Sequence, residues 1–254
     1  MLNFSEAALF TFAQMLTVAL LRLSGFFLTA PLLSIRGVPR RIRAMIIMVL
    51  AFVVASVSDP ANMGRAGQAS LAAIVSEFAV GVLMGFAVRI AYMAFDLSGE
   101  LLSQQSGLNF AHASGLEQGG RELPIGTLLG LFATAIGFAT NLHLVLIETL
   151  VESYRVVPFG SLPDAAQPAA LMNLVGHALR VGTILALPAL VFLMIANLLQ
   201  AVLGRASPQF GQFAVGFSVT IVVALAALLL LLPALGSQYD LAIRPALELI
   251  RWTR

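Results

Sequence analysis

Residues 213–235 read FAVGFSVTIVVALAALLLLLPAL and carry no charged side chain. About 20 apolar residues in a helix cross a hydrocarbon core of roughly 30 Å. The stretch therefore predicts a membrane-spanning helix, and the rest of the chain repeats its pattern. Toward the N-terminus, 204–212 is a short polar turn with Pro208, preceded by an apolar run over Leu171–Leu203 that Pro188 is expected to kink. Ile125–Leu150 is apolar, with Asn141, His143 and Glu148 toward its end. Leu71–Phe95 qualifies and holds Glu77 and Arg89. Ala44–Val57 is short, fitting a half-span or a tilted helix buried in protein, and Leu9–Leu33 holds Arg22 and ends at Pro31. Beyond the quoted stretch, Gly236–Arg254 reads as a short amphipathic helix, with Ile243, Leu247 and Ile250 on one side and Arg244, Glu248 and Arg251 on others.

These runs predict an all-α, polytopic membrane protein of about six long hydrophobic helices, organised as one membrane domain over residues 1–254. Composition agrees. Hydrophobic residues are 59% of the chain and charged residues 10%, against about 25% charged in a soluble domain. No cysteine is present, which removes disulfides and thiolate chemistry. The arginines are scattered and the net charge is only +2, so no nucleic-acid surface is expected. No basic residue precedes Arg22, so the first hydrophobic stretch reads as a retained helix and not a cleaved signal. Arg36, Arg40, Arg41 and Arg43 crowd the first loop and point to a cytoplasmic position, which with six crossings puts both termini on the far side.

Within the spans, Gly81-Val-Leu-Met-Gly85 and Gly126-Thr-Leu-Leu-Gly130 are small-xxx-small pairs suited to close helix packing. Arg22, Glu77, Arg89, Glu148 and Arg180 are expected as buried charges. A mid-bilayer charge costs about 2.5–3.5 kcal/mol on insertion scales, so each must face protein, water or headgroups. Pairing between helices or subunits is the plain reading, and an ion or proton path the functional one. His112, His143 and His177 lack metal-ligand spacing, and no catalytic or nucleotide motif is present. The residues thus predict a protein that is not an enzyme and has no cofactor or metal.

The stretch after Phe95 is unusual. Asp96, Glu100, Ser103, Gln104 and Gly107 follow helical spacing as one polar stripe that should face water or a channel. The following loop, 107–124, combines Gly107, Gly115, Gly119 and Gly120 with Leu108, Asn109, Phe110 and Leu116. Glycines permit rearrangement, and the apolar residues are too many for an ordinary solvated loop. It is either a re-entrant segment obstructing a conduit or a surface loop with exposed apolar side chains.

Four blocks together resemble the FliR family of flagellar export-gate proteins, related to the SctT family of type III secretion. They are Arg22-Leu-Ser-Gly-Phe-Phe-Leu-Thr-Ala-Pro31 with the basic loop behind it; Glu77-Phe-Ala-Val-Gly-Val-Leu-Met-Gly-Phe86 through Gly99 and Gln105-Ser-Gly-Leu108; Asn141-Leu-His-Leu with Pro158 and Gly160; and Ala186-Leu-Pro188, Asn197 and Arg205-Ala-Ser-Pro-Gln209 through Phe213 and Val215-Gly-Phe217. The resemblance implies a FliP-like N-terminal part over 1–170 and a FliQ-like helical hairpin over 171–235, followed by the tail 236–254. It implies assembly with FliP-like and FliQ-like subunits, and with FlhB-like and FlhA-like export components, around a pore for unfolded protein. It also implies that 107–124 forms part of the pore plug. Where many relatives carry Asp-Pro after that Gly-Leu, this chain has Leu116-Glu-Gln-Gly-Gly120. A virulence-type secretion subunit is the neighbouring alternative. A small-solute or ion transporter using Glu77, Arg89 and Glu148 is the alternative of a different class.

Overall fold

The computed structural model describes residues 6–31, 39–57, 70–106, 124–161, 167–206 and 217–251. Seven helices are described: α1 (Glu6–Thr29), α2 (Arg40–Val57), α3 (Leu71–Gln105), α4 (Pro124–Ala139), α5 (Leu142–Val156), α6 (Gln167–Ala206) and α7 (Phe217–Arg251). No strand occurs among the described residues. Helices satisfy every backbone group internally, which lipid demands. Four of them, over Ala8–Thr29, Leu71–Gln105, Ala169–Ala206 and Val219–Arg251, are long and apolar enough to cross a membrane, and α4 and α5 together make a fifth if counted as one bent span. The protein is an all-α polytopic membrane protein.

Local chemistry sets the boundaries. Ser70 caps α3: its Oγ accepts the Ala73 N–H at 3.2 Å, and its carbonyl accepts from Ala73 and Ile74. The run Ile125–Leu150 is two helices, because Asn141 adopts φ 57°, ψ 27° and the chain bends by 69° there. Asparagine tolerates this left-handed conformation better than other L-residues. Its carbonyl then receives the Leu144 and Val145 N–H groups, restarting the helix as α5. Helix α3 continues past Phe95 to Gln105, and α7 runs unbroken through the tail, where the sequence suggested a separate short helix. Pro188 lies inside α6 without ending it.

The described residues cluster into two compact units that interleave along the chain. The first takes residues 1–90, 137–174 and 245–254. Its core sets Val18, Phe26 and Phe27 of α1 with Val80 and Met84 of α3 and Leu146 and Leu150 of α5. The second takes residues 91–136 and 175–244. It buries Phe95, Leu102, Leu129, Leu185, Leu193, Leu231 and Tyr239. In this unit Tyr92 and Tyr239 meet edge to face with their hydroxyls 3.3 Å apart, and Gln200 and Thr220 hydrogen-bond across α6 and α7.

Candidate functional site

Three helices of the first unit converge on one charge. Arg22 of α1 is fully buried, as is Glu77 of α3. The guanidinium donates Nε to Glu77 Oε2 at 2.9 Å and Nη2 to Oε1 at 3.0 Å, a bidentate geometry. It donates further to the Ser153 Oγ at 3.0 Å and to the Val157 carbonyl at 3.1 Å. Its carbon lies 4.2 Å from the centre of the Tyr154 ring, a cation–π contact. Glu77 Oε1 also receives the Gly160 N–H at 3.3 Å, and Tyr154 donates its hydroxyl to the Ala19 carbonyl at 3.3 Å. Taking two charges out of water costs several kcal/mol per ion, recovered only when geometry and remaining hydrogen bonds are both good. Here both conditions hold, and the pair ties α1, α3, α5 and the turn after α5 together.

The turn is built for this contact. Gly160 has φ +80°, and Ser161 returns its N–H to the Pro158 carbonyl at 3.1 Å. Only a residue without Cβ adopts that φ at no steric cost while aiming its N–H at the carboxylate.

Below the ion pair, α1 and α3 pack backbone to backbone. A Cβ on Gly81 would strike the Arg22 carbonyl, and one on Gly85 would strike Thr29 Oγ1 and lie 2.7 Å from the Phe26 carbonyl. A Cβ on Gly25 would meet the Phe78 carbonyl and lie 2.9 Å from Val82 N. Thr29 Oγ1 donates across the seam to the Val82 carbonyl at 3.2 Å. Gly25 and Thr29 are thus a second small-xxx-small pair facing Gly81 and Gly85, and their four-residue spacing was readable in the sequence.

In the second unit the close approach joins Gly126 of the expected pair to Gly99 of α3, and Gly130 takes no part in it. A Cβ on Gly99 would strike the Gly126 backbone, whereas one on Gly126 or Gly130 would make ordinary contacts at 3.7 Å or more. Gly182 approaches the Ala94 backbone, and Ser98 Oγ donates to the Gly182 carbonyl at 2.8 Å. Gly99 and Gly182 were the positions missed.

The remaining expected residues divide. Asp96, Glu100 and Gln104 lie exposed on one face of α3, with Gln104 Nε2 donating to Glu100 Oε1 at 2.8 Å. Ser103 departs from this stripe: although it falls close to Asp96 around the helix axis, it is wholly buried. Arg89, Glu148 and Arg180 are exposed on their helices and are not buried charges within this chain. Glu148 and Arg180 turn outward, where lipid headgroups, water or other chains must meet them, while Arg89, though exposed, keeps an interaction within this chain. Gly107, Leu108, Asn109, Phe110, Gly115, Leu116, Gly119 and Gly120 lie outside the described residues.

The family model described as bacterial export proteins, family 1, matches residues 13–245. A flagellar biosynthetic protein FliR of Escherichia coli (strain K12) is 30% identical over 224 residues, covering 85% of this chain and 84% of its own. The chain belongs to the FliR family of bacterial export proteins. A second FliR relative, of Caulobacter vibrioides, is 26% identical over 235 residues, with 90% of this chain and 92% of its own covered. This FliR-family chain is thus matched along nearly its full length, and the span matched includes Arg22, Glu77, Gly160, both halves of the α1–α3 seam and the α6–α7 pair. The chain is a multi-pass membrane protein of flagellar biosynthesis and protein export.

Proposed function

We propose that this FliR-family chain is a non-catalytic subunit of the flagellar type III export gate in the bacterial inner membrane, at the flagellar basal body. It helps form the channel through which unfolded flagellar proteins leave, and it assembles there with FliP-like and FliQ-like subunits beside FlhB-like and FlhA-like components. The observation that carries this reading is the family match over residues 13–245, since it spans all seven helices in order and not one motif. Helices α6 and α7 support it. They leave Leu187, Met194, Leu198, Val222, Leu225 and Leu229 exposed, a surface that lipid or other membrane subunits must cover. In this reading Asp96, Glu100 and Gln104 line the passage, Gly107–Pro124 obstructs it at rest, and the Arg22–Glu77 network holds the scaffold rigid. Affinity purification of the tagged full chain from flagellated cells, followed by mass spectrometry of the intact complex, tests the proposal. FliP-like and FliQ-like chains in several copies are expected. A chain that purifies alone or as a homo-oligomer, and transports a small solute in liposomes, overturns it.

A further inference from the structure

Helix α2 is the one described helix whose apolar run is too short to cross a bilayer alone and that opens on a block of charge. Its first four residues hold Arg40, Arg41 and Arg43, with no acidic residue in that turn. The Arg43 Nε is buried with no acceptor among the described residues. No ion pair joins any of the three arginines to a carboxylate among those residues. Positive side chains also stand at the positive end of the helix dipole, an arrangement that an anion relieves.

The rest of α2 says what kind of anion. Ala51, Val54 and Ala55 form its packed face, while Met45, Ile46, Val49, Phe52 and Val53 are exposed along the opposite one. Phe12 near the start of α1 meets Phe52 near the end of α2, ring centroids 5.5 Å apart, so the two helices run antiparallel. The arginines therefore sit at the end where α1, a candidate span over Ala8–Thr29, leaves the hydrocarbon. From that end Ala44–Val57 reaches only about 21 Å into a core of roughly 30 Å. A cationic block at the membrane surface above an exposed apolar stem of that length matches a phospholipid with an anionic headgroup, phosphate to guanidinium and acyl chain to the stem. A soluble anion would match only the first part.

We propose that Arg40, Arg41 and Arg43 bind the headgroup phosphate of an anionic phospholipid whose acyl chains lie along the exposed face of α2. Arginine suits the role because its planar fork pairs two N–H groups with two phosphate oxygens. The proposal does not rest on the export reading.

The test uses the full chain purified in an uncharged detergent, with lipid retention read by native mass spectrometry. Phosphatidylglycerol is expected to stay bound where phosphatidylcholine does not, and about 0.5 M salt should release it from the wild type by screening. R40Q, R41Q and R43Q should each lower retention about fivefold, whereas R155Q, at an exposed arginine paired with Glu152, should not change it. Equal retention of the two lipids, or unchanged retention in the triple glutamine variant, overturns the proposal. So does displacement of phosphatidylglycerol by millimolar inorganic phosphate, which would assign the arginines to a free anion. Should the triple variant fail to fold, the lipid and salt comparison on the wild type still decides.

Discussion

Arg22 and Glu77, fifty-five residues apart, close a bidentate ion pair with both side chains wholly inside the protein. The pair stands where α1 crosses α3, one turn from the glycine seam, so charge and close packing hold the same two helices. Removing either partner leaves the other charged and stranded.

That asymmetry sets the first prediction. Glu77→Gln or Arg22→Met should destabilise the chain by about 3–5 kcal/mol, read as a fall in melting temperature of the detergent-solubilised protein. The double variant Arg22→Met with Glu77→Leu should recover part of the loss, because no unpaired charge remains. Single variants that melt with the wild type would show the pair to be dispensable.

Ser153 gives a smaller and cleaner loss. Ser153→Ala removes the acceptor of Arg22 Nη1 while changing little volume, and should cost about 1–3 kcal/mol. Tyr154→Phe keeps the ring beneath the guanidinium and drops only the bond to the Ala19 carbonyl, for about 0.5–1.5 kcal/mol. Denaturation midpoints of the two variants, compared in one detergent, check the order.

The glycines should separate by position. Gly81→Leu, Gly85→Leu and Gly25→Leu force side chains into backbone atoms and should abolish the folded, assembled protein. Gly130→Ala meets only ordinary contacts and should change stability by no more than about 0.5 kcal/mol. Gly99→Ala should be costly where Gly126→Ala is mild. Monodispersity on size-exclusion chromatography and yield of membrane-extracted complex distinguish these outcomes.

At the α4–α5 bend, Asn141→Gly should be tolerated, whereas Asn141→Val should cost about 1–2 kcal/mol, the penalty of a left-handed conformation for an L-residue with Cβ branching. A valine variant as stable as the wild type would mean that the bend is relaxed without consequence.

Deleting 107–120 should make cells leak ions or small solutes while the complex still assembles. Membranes that stay tight around an assembled deletion variant would remove the plug from the proposed function.

Much of the helical layout was legible because lipid imposes one rule on every span. The runs around Leu9–Leu33, Leu71–Phe95, Leu171–Leu203 and Phe213–Leu235 each mark a helix that the structure contains. What misled was local: the end of hydrophobicity at Phe95 is not the end of α3, since Asp96–Gln105 keeps helical propensity after it loses apolar character. The 69° break at Asn141 was equally hidden, because one left-handed residue changes direction without changing composition.

Residue by residue, the amino-acid sequence alone determined that this chain lives in a membrane, that it is helical, and which family it resembles, because hydropathy and ordered motifs are properties of the linear string. Only the tertiary structure decided that Arg22 answers Glu77 while Arg89, Glu148 and Arg180 lie exposed, and that Gly99 rather than Gly130 needs to be glycine. All five charges look alike in a hydrophobic run. Their burial depends on the rotation of each helix about its axis, and that angle is set by neighbours tens of residues away.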